Sequence, residues 1–174
     1  MSKDRTVETV GATFGPAADE IGVSQERSRW CWAASTQMLR RHVGLENRTQ
    51  CQIAALRFSR PCCETPEVCN VGLPLDQITA LLSENALSCR QLSSQLDDSS
   101  IWEDLYARRP ILIVDVFENG KDGHARVIFG WQTTSKRGNL VRVLDPAHAK
   151  RSAVTIAELR RSRWAHTWHR IEAT

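Results

Sequence analysis

An α+β fold is predicted for this 174-residue chain by the order of its hydrophobic patterns. Apolar residues recur at helical spacing in four stretches before residue 109. Beyond it, β-branched and alternating runs take over. The two kinds of pattern are segregated, whereas a parallel α/β sheet would alternate them. The length suits one domain, and 41% hydrophobic with 25% charged residues lies in the globular range. No run of about 18 apolar residues offers a membrane span. The N-terminus is charged and lacks the apolar stretch of a secretory signal. Internal repeats are absent.

Residues 1–22 mix charge, Gly and Pro without periodicity and read as a tail or extended arm. The domain proper is then 23–174, with a helical part at about 23–108 and a β part at about 109–174. The first helix starts near Trp30 or Cys31. Trp32, Leu39 and Val43 form its buried stripe, with Ala34 and Met38 beside it. Arg40, Arg41 and His42 fall in its last turn, where cations suit the helix dipole, and Gly44 supplies the stop. A second helix covers 50–58. Residues 59–72, with two prolines and three cysteines, read as a cross-linked loop. A third helix occupies about 74–85, with Ile78, Leu81 and Leu82 inward and Pro74 near its start. A fourth covers 100–108, with Ile101, Trp102 and Leu105 on one side.

Residues 111–117, preceded by Pro110, are β-branched and read as a buried strand. After a loop containing Gly120 and Gly123, further strands are expected at 124–131, 140–144 and 164–171. A short helix is expected at 154–161.

Net charge is only +3, but residues 136–170 hold nine Lys and Arg against Asp145 and Glu158. This stretch reads as a solvated basic face, with an acidic partner as the functional alternative. No nucleic-acid-binding motif accompanies it. The six cysteines stand at 31, 51, 62, 63, 69 and 89. Cys51, Cys62, Cys63, Cys69 and Cys89 are read as disulfides or free thiols around the loop, at least one unpaired. Thiolate ligands of a zinc-binding module are the alternative, although the spacing lacks a paired C-x2-C knuckle.

Three residues carry the chemistry. Cys31 sits where a long helix begins, and a helix N-terminus stabilises a thiolate. Taken alone it could equally be a buried core cysteine. A thiolate nucleophile also needs a proton donor for the leaving group. His124, after Gly123 and ahead of an apolar strand, places an imidazole at the mouth of a rigid element. His148, three residues beyond Asp145, is its nearest rival. Asp145 ends a strand that Pro146 stops. If that strand pairs with the His124 strand through the turn near Gly138, the carboxylate can orient the imidazole.

Together these residues, in the order Cys, His, Asp, resemble the papain-like cysteine proteases over about residues 23–172. Gln25, six residues before Cys31, matches the glutamine of the family's oxyanion hole. Cys31-Trp32 and the small residues after it match the nucleophile helix. Gly123-His124-Ala125 and the run to Gly130 match the histidine strand. Cys69-Asn70-Val71-Gly72 is similar to a Cys-Asn-Gly-Gly turn in papain. The chain departs at Ser28, where a cysteine is usual, so the family's disulfide from that position is excluded. It has Asp145 where papain has Asn, and only 93 residues separate Cys31 from His124. Compact bacterial relatives, the staphopain-like and avirulence-type effector proteases, fit better.

The resemblance implies a papain-like fold and a cysteine endopeptidase. Catalytic roles would fall to Cys31, His124 and Asp145, with Gln25 and the Cys31 backbone N–H as oxyanion donors and no metal or cofactor. It further implies a bacterial effector or toxin, made in the cytoplasm and exported by a dedicated secretion system into a target cell. Its partners would be a protein substrate and a cognate inhibitor or immunity-type protein. Deamidase, amidase or transglutaminase chemistry on the same residues is the alternative.

Overall fold

The computed structural model describes residues 10–118 and 123–174. Residues 1–9 of the expected arm, and Gly120 of the expected loop, lie outside the described residues. Among the described residues six α-helices and seven strands follow in the order β1 (Val10–Phe14), α1 (Ala18–Ile21), α2 (Cys31–His42), α3 (Gln50–Phe58), α4 (Ile78–Glu84), β2 (Leu87–Leu92), α5 (Asp98–Tyr106), β3 (Ile111–Val116), β4 (Gly123–Thr134), β5 (Gly138–Asp145), β6 (Lys150–Val154), α6 (Ile156–Arg160) and β7 (Trp164–Ala173). The strands form one antiparallel sheet in the order β2-β7-β3-β4-β5-β6, with β1 added against β4. This is the mixed helical and antiparallel arrangement that the segregated patterns predict.

Each expected helix is present, and α2 begins at Cys31. Its stripe is buried: Trp32, Ala34, Met38 and Leu39 are at most 3% exposed. Gly44, with φ of +78°, takes the left-handed conformation that ends the helix. Trp32, Ala33, Met38 and Leu39 pack with Ala125, Val127 and Phe129, so α2 lies on one face of β4. The other face carries Ile128, Val141, Val143, Ile156, Leu159 and Trp164 in a second core. Alternation along β4 is the cause, since successive side chains point to opposite faces.

The sheet departs from the sequence expectation in three places. Residues 10–22 are not a free tail. β1 pairs with the far end of β4, and Ile21 in α1 is 2% exposed. Two glycines permit this close approach: a Cβ on Gly15 would lie 2.4 Å from the Phe129 carbonyl oxygen, and one on Gly130 within 2.2 Å of that of Phe14. Phe14 also stacks on Trp131, with ring centroids 5.1 Å apart. β2 is a strand within the part read as helical, and it pairs with β7. The boundary at residues 108–109 therefore does not separate the helices from the strands. β6, mostly polar and lying at the sheet edge beside β5, carries no buried-strand signature and was not expected.

The cross-linked loop is closed by two disulfides, Cys51–Cys63 and Cys62–Cys69, and Cys31 and Cys89 are free thiols. This overturns the zinc-module reading, because four of the five thiols it would use are consumed. Among the described residues no group of three or more His, Cys, Asp or Glu could hold a metal ion.

Candidate active site

The start of α2 differs from those of α3, α5 and α6. Thr49, Asp97 and Thr155 cap those helices with a side-chain oxygen. The residue before Cys31 is Trp30, which makes no side-chain cap bond. The first amides of α2 are thus not spent on a cap and remain for a ligand oxygen. The residues ahead of Cys31 are instead held from outside. The buried Gln50 amide accepts from Glu26 N at 2.9 Å and donates to Ser24 O at 2.7 Å, clasping both neighbours of Gln25. Gln25 N donates to Pro146 O at 2.9 Å.

The 69–71 turn holds the next stretch. Trp30 Nε1 donates to Cys69 O at 2.8 Å and Trp32 Nε1 to Val71 O at 3.1 Å. Asn70 Oδ1 accepts from Arg29 N at 3.0 Å, and Asn70 Nδ2 donates to Ser28 Oγ at 3.1 Å. The excluded disulfide from position 28 is therefore replaced by a hydrogen bond to Asn70, while Cys69 is tied to Cys62.

Helix and strand lengths bring the thiol to the imidazole. At the far end of α2, His42 Nε2 sits 3.0 Å from Phe129 O. Eleven helical steps back to Cys31 cover about 16 Å, and five strand steps from Phe129 to His124 cover about 17 Å. The two spans match, and the Cys31 side chain comes close enough to the His124 ring to raise its pKa. His124 Nε2 lies 2.6 Å from Asp145 Oδ1, which leaves Nδ1 as the ring nitrogen for sulfur. β5 pairs with β4 through the turn at Gly138, as the sequence argument required. The same Asp145 oxygen accepts from Ala147 N at 2.8 Å, closing an Asp-Pro turn that fixes the carboxylate. Asp145 is thus joined to His124. His148, the expected rival, sits in the following turn with φ of +68°.

Electrostatics follow from this geometry. Burial pulls the His124 pKa down, but hydrogen bonds and charge from Asp145 and Cys31 outweigh it, and it is pushed up to about 9 from an ordinary 6.5. Burial pushes the Asp145 carboxyl up, yet the bonds from His124 and Ala147 and the nearby Arg126 charge hold it below its ordinary value. The pair is therefore imidazolium and carboxylate at neutral pH, with sulfur on the free side of the ring.

Gln25 is in the expected place, but its amide is turned away from the expected task. Nε2 donates to Arg27 O at 3.0 Å and to Ser28 O at 2.9 Å, which uses both of its N–H groups. Oε1 is buried with no partner among the described residues. A rotation of the side chain is needed before it can donate to an oxyanion. Sequence reasoning missed Gln50, for which no local signal exists. It also missed Arg126 and Asp115, which form a half-buried ion pair beside Asp145. Arg126 could have been found, because a charged side chain two residues after His124 shares its face of a largely apolar strand.

No curated protein matches the sequence. A family model described as papain-like cysteine protease AvrRpt2 matches residues 17–163. That span contains Gln25, Cys31, His124 and Asp145 together with the strands and helix that assemble them. By this match over most of its length, and with the mixed fold that accompanies it, the chain belongs to the AvrRpt2 family of papain-like cysteine proteases.

Proposed function

We propose that this cysteine protease cleaves protein substrates by a triad of Cys31, His124 and Asp145. The observation that carries the reading is the arrangement of a thiol at an uncapped helix start beside an imidazole whose far nitrogen lies 2.6 Å from a carboxylate. Cys31 sulfur attacks the peptide carbonyl carbon, and His124 passes its proton to the leaving amine. Water, deprotonated by the now neutral His124, then releases the acyl group. Asp145 orients the ring and offsets its charge. The Cys31 backbone N–H, left open by Trp30, and the Gln25 amide after rotation hold the oxyanion. One such donor is worth about 10²–10³ in rate.

We assign the protein to the effector or toxin class, acting inside a target cell after export and held in check by an inhibitor. The support is the family to which it belongs. The test incubates wild type and Cys31→Ala with a whole-cell lysate and reads new N-termini by mass spectrometry. New termini with the wild type alone are expected. Termini from both proteins overturn the assignment of Cys31, and a 1-Da gain on glutamine without new termini indicates deamidation instead.

A further inference from the structure

Four neighbouring strands place ionic side chains in one row beside the candidate triad. Val127 pairs with Leu144, so the next step of the same ladder sets Arg126 opposite Asp145. Asp145 in turn pairs with Lys150 on β6. On the other side, Ile113 pairs with Arg126 and Asp115 with His124. Directly opposed residues of an antiparallel sheet share a face. His124 and Arg126 share one by alternation. Lys150, Asp145, Arg126 and Asp115 thus cross one face with alternating sign.

Arg126 is firmly held in this row. Its Nε lies 2.6 Å from Asp115 Oδ2, and its Nη2 donates to Asp115 Oδ1 at 2.7 Å. Ser162 Oγ stands 3.0 Å from both Arg126 Nη2 and Asp115 Oδ1. The Arg126 and Asp115 side chains are 16% and 14% exposed. With Asp145, Ser162 and Arg163 they line an open pocket of about 230 Å³. The cation therefore acts on Asp145 by its field and not by a hydrogen bond. Both bonds that are seen to hold the Asp145 carboxylate fall on Oδ1.

We propose that Arg126, clamped by Asp115, is a positioning residue that balances the charge of the Asp145–His124 pair. This rests on the triad reading above. Arg126 keeps Asp145 ionised, and Asp115 cancels enough of the guanidinium charge for Asp145 to retain its hold on the imidazolium. The remaining charged groups around the pair are Cys31 from α2, Lys150 on β6, and Arg163, which is paired with Glu118 at the surface.

Opposite consequences follow for the two halves of the clamp. Removing the cation in Arg126→Gln leaves an extra anion near His124, so the ring should titrate at higher pH. Removing the anion in Asp115→Asn leaves an extra cation, so it should titrate at lower pH. Each shift should be roughly half a unit to one unit for a charge at this separation in a partly buried site, and the double variant should return near the wild-type midpoint. NMR titration of the His124 ring proton reads this without a substrate. Equal-sign shifts, or unmoved midpoints in folded variants, overturn the proposal. If the unpaired carboxylate keeps Arg126→Gln from folding, the shift of Asp115→Asn decides alone: a downward shift supports the proposal, and an unmoved or raised midpoint overturns it. The outcome is separable from the triad reading, which fails if Cys31→Ala still cleaves, whatever the His124 midpoint.

Discussion

The two sides of the candidate site are built by different means. The nucleophile side is a loop and a helix start held by hydrogen bonds to backbone carbonyls and by the twice-bridged 59–72 loop. The imidazole side is a sheet, in which register alone brings His124, Asp145, Arg126 and Asp115 together. The nucleophile side thus rests on covalent cross-links and the imidazole side on ionic pairs.

The largest effect that separates the two sides is expected at Asp145. Asp145→Ala removes the acceptor on Nε2 and should lower kcat by up to about 10⁴, the loss seen when a triad loses its orienting carboxylate. Asp145→Asn keeps an oxygen at that position and should retain more activity than Ala. Equal wild-type rates in both variants would show that the sheet side is positioned by another group.

pH sharpens the comparison next. His124 titrates near 9, above its ordinary 6.5, so its contribution to stability is whole below about 6.5 and is lost as pH rises through about 9. Asp145 is depressed, so its contribution is present above its ordinary value and fades as pH falls through the lowered one. Cleavage should accordingly decline above about pH 9. A profile declining from pH 7 would contradict the ion-pair geometry.

Opening the Cys62–Cys69 bridge should have a smaller effect. Cys62→Ala with Cys69→Ala removes a short covalent loop and should cost about 2–3 kcal/mol in denaturant unfolding. It should also lower kcat, because Cys69 O and Asn70 anchor the residues on either side of Arg29. Cys89→Ser, outside the bridge, should leave cleavage largely intact. Gln50→Ala, which unties Ser24 O and Glu26 N, should cost about 1–3 kcal/mol. Its kcat loss should exceed any change in KM if the loop carrying Gln25 serves the oxyanion.

Much of this was legible in the sequence because its causes are local. The apolar stripe of α2, the Gly44 stop, and Gly123-His124 ahead of a strand each announce themselves within a few residues. β1 and β2 did not. β1 is interrupted by glycine and gains its place only from Gly15 and Gly130 meeting across the chain. β2 alternates weakly and is a strand because β7 is there to pair with it.

Residue identity and order thus determined the fold class, the three residues of the candidate triad and the helix start that bears the thiol. Tertiary structure decided the rest: which cysteines pair, that the Gln25 amide bonds to Arg27 and Ser28 in this conformation, and that Arg126 stands across from Asp145. The physical reason is range. Helical periodicity and caps are settled over one or two turns of chain, whereas pairing, register and the field at a carboxylate depend on groups tens of residues away.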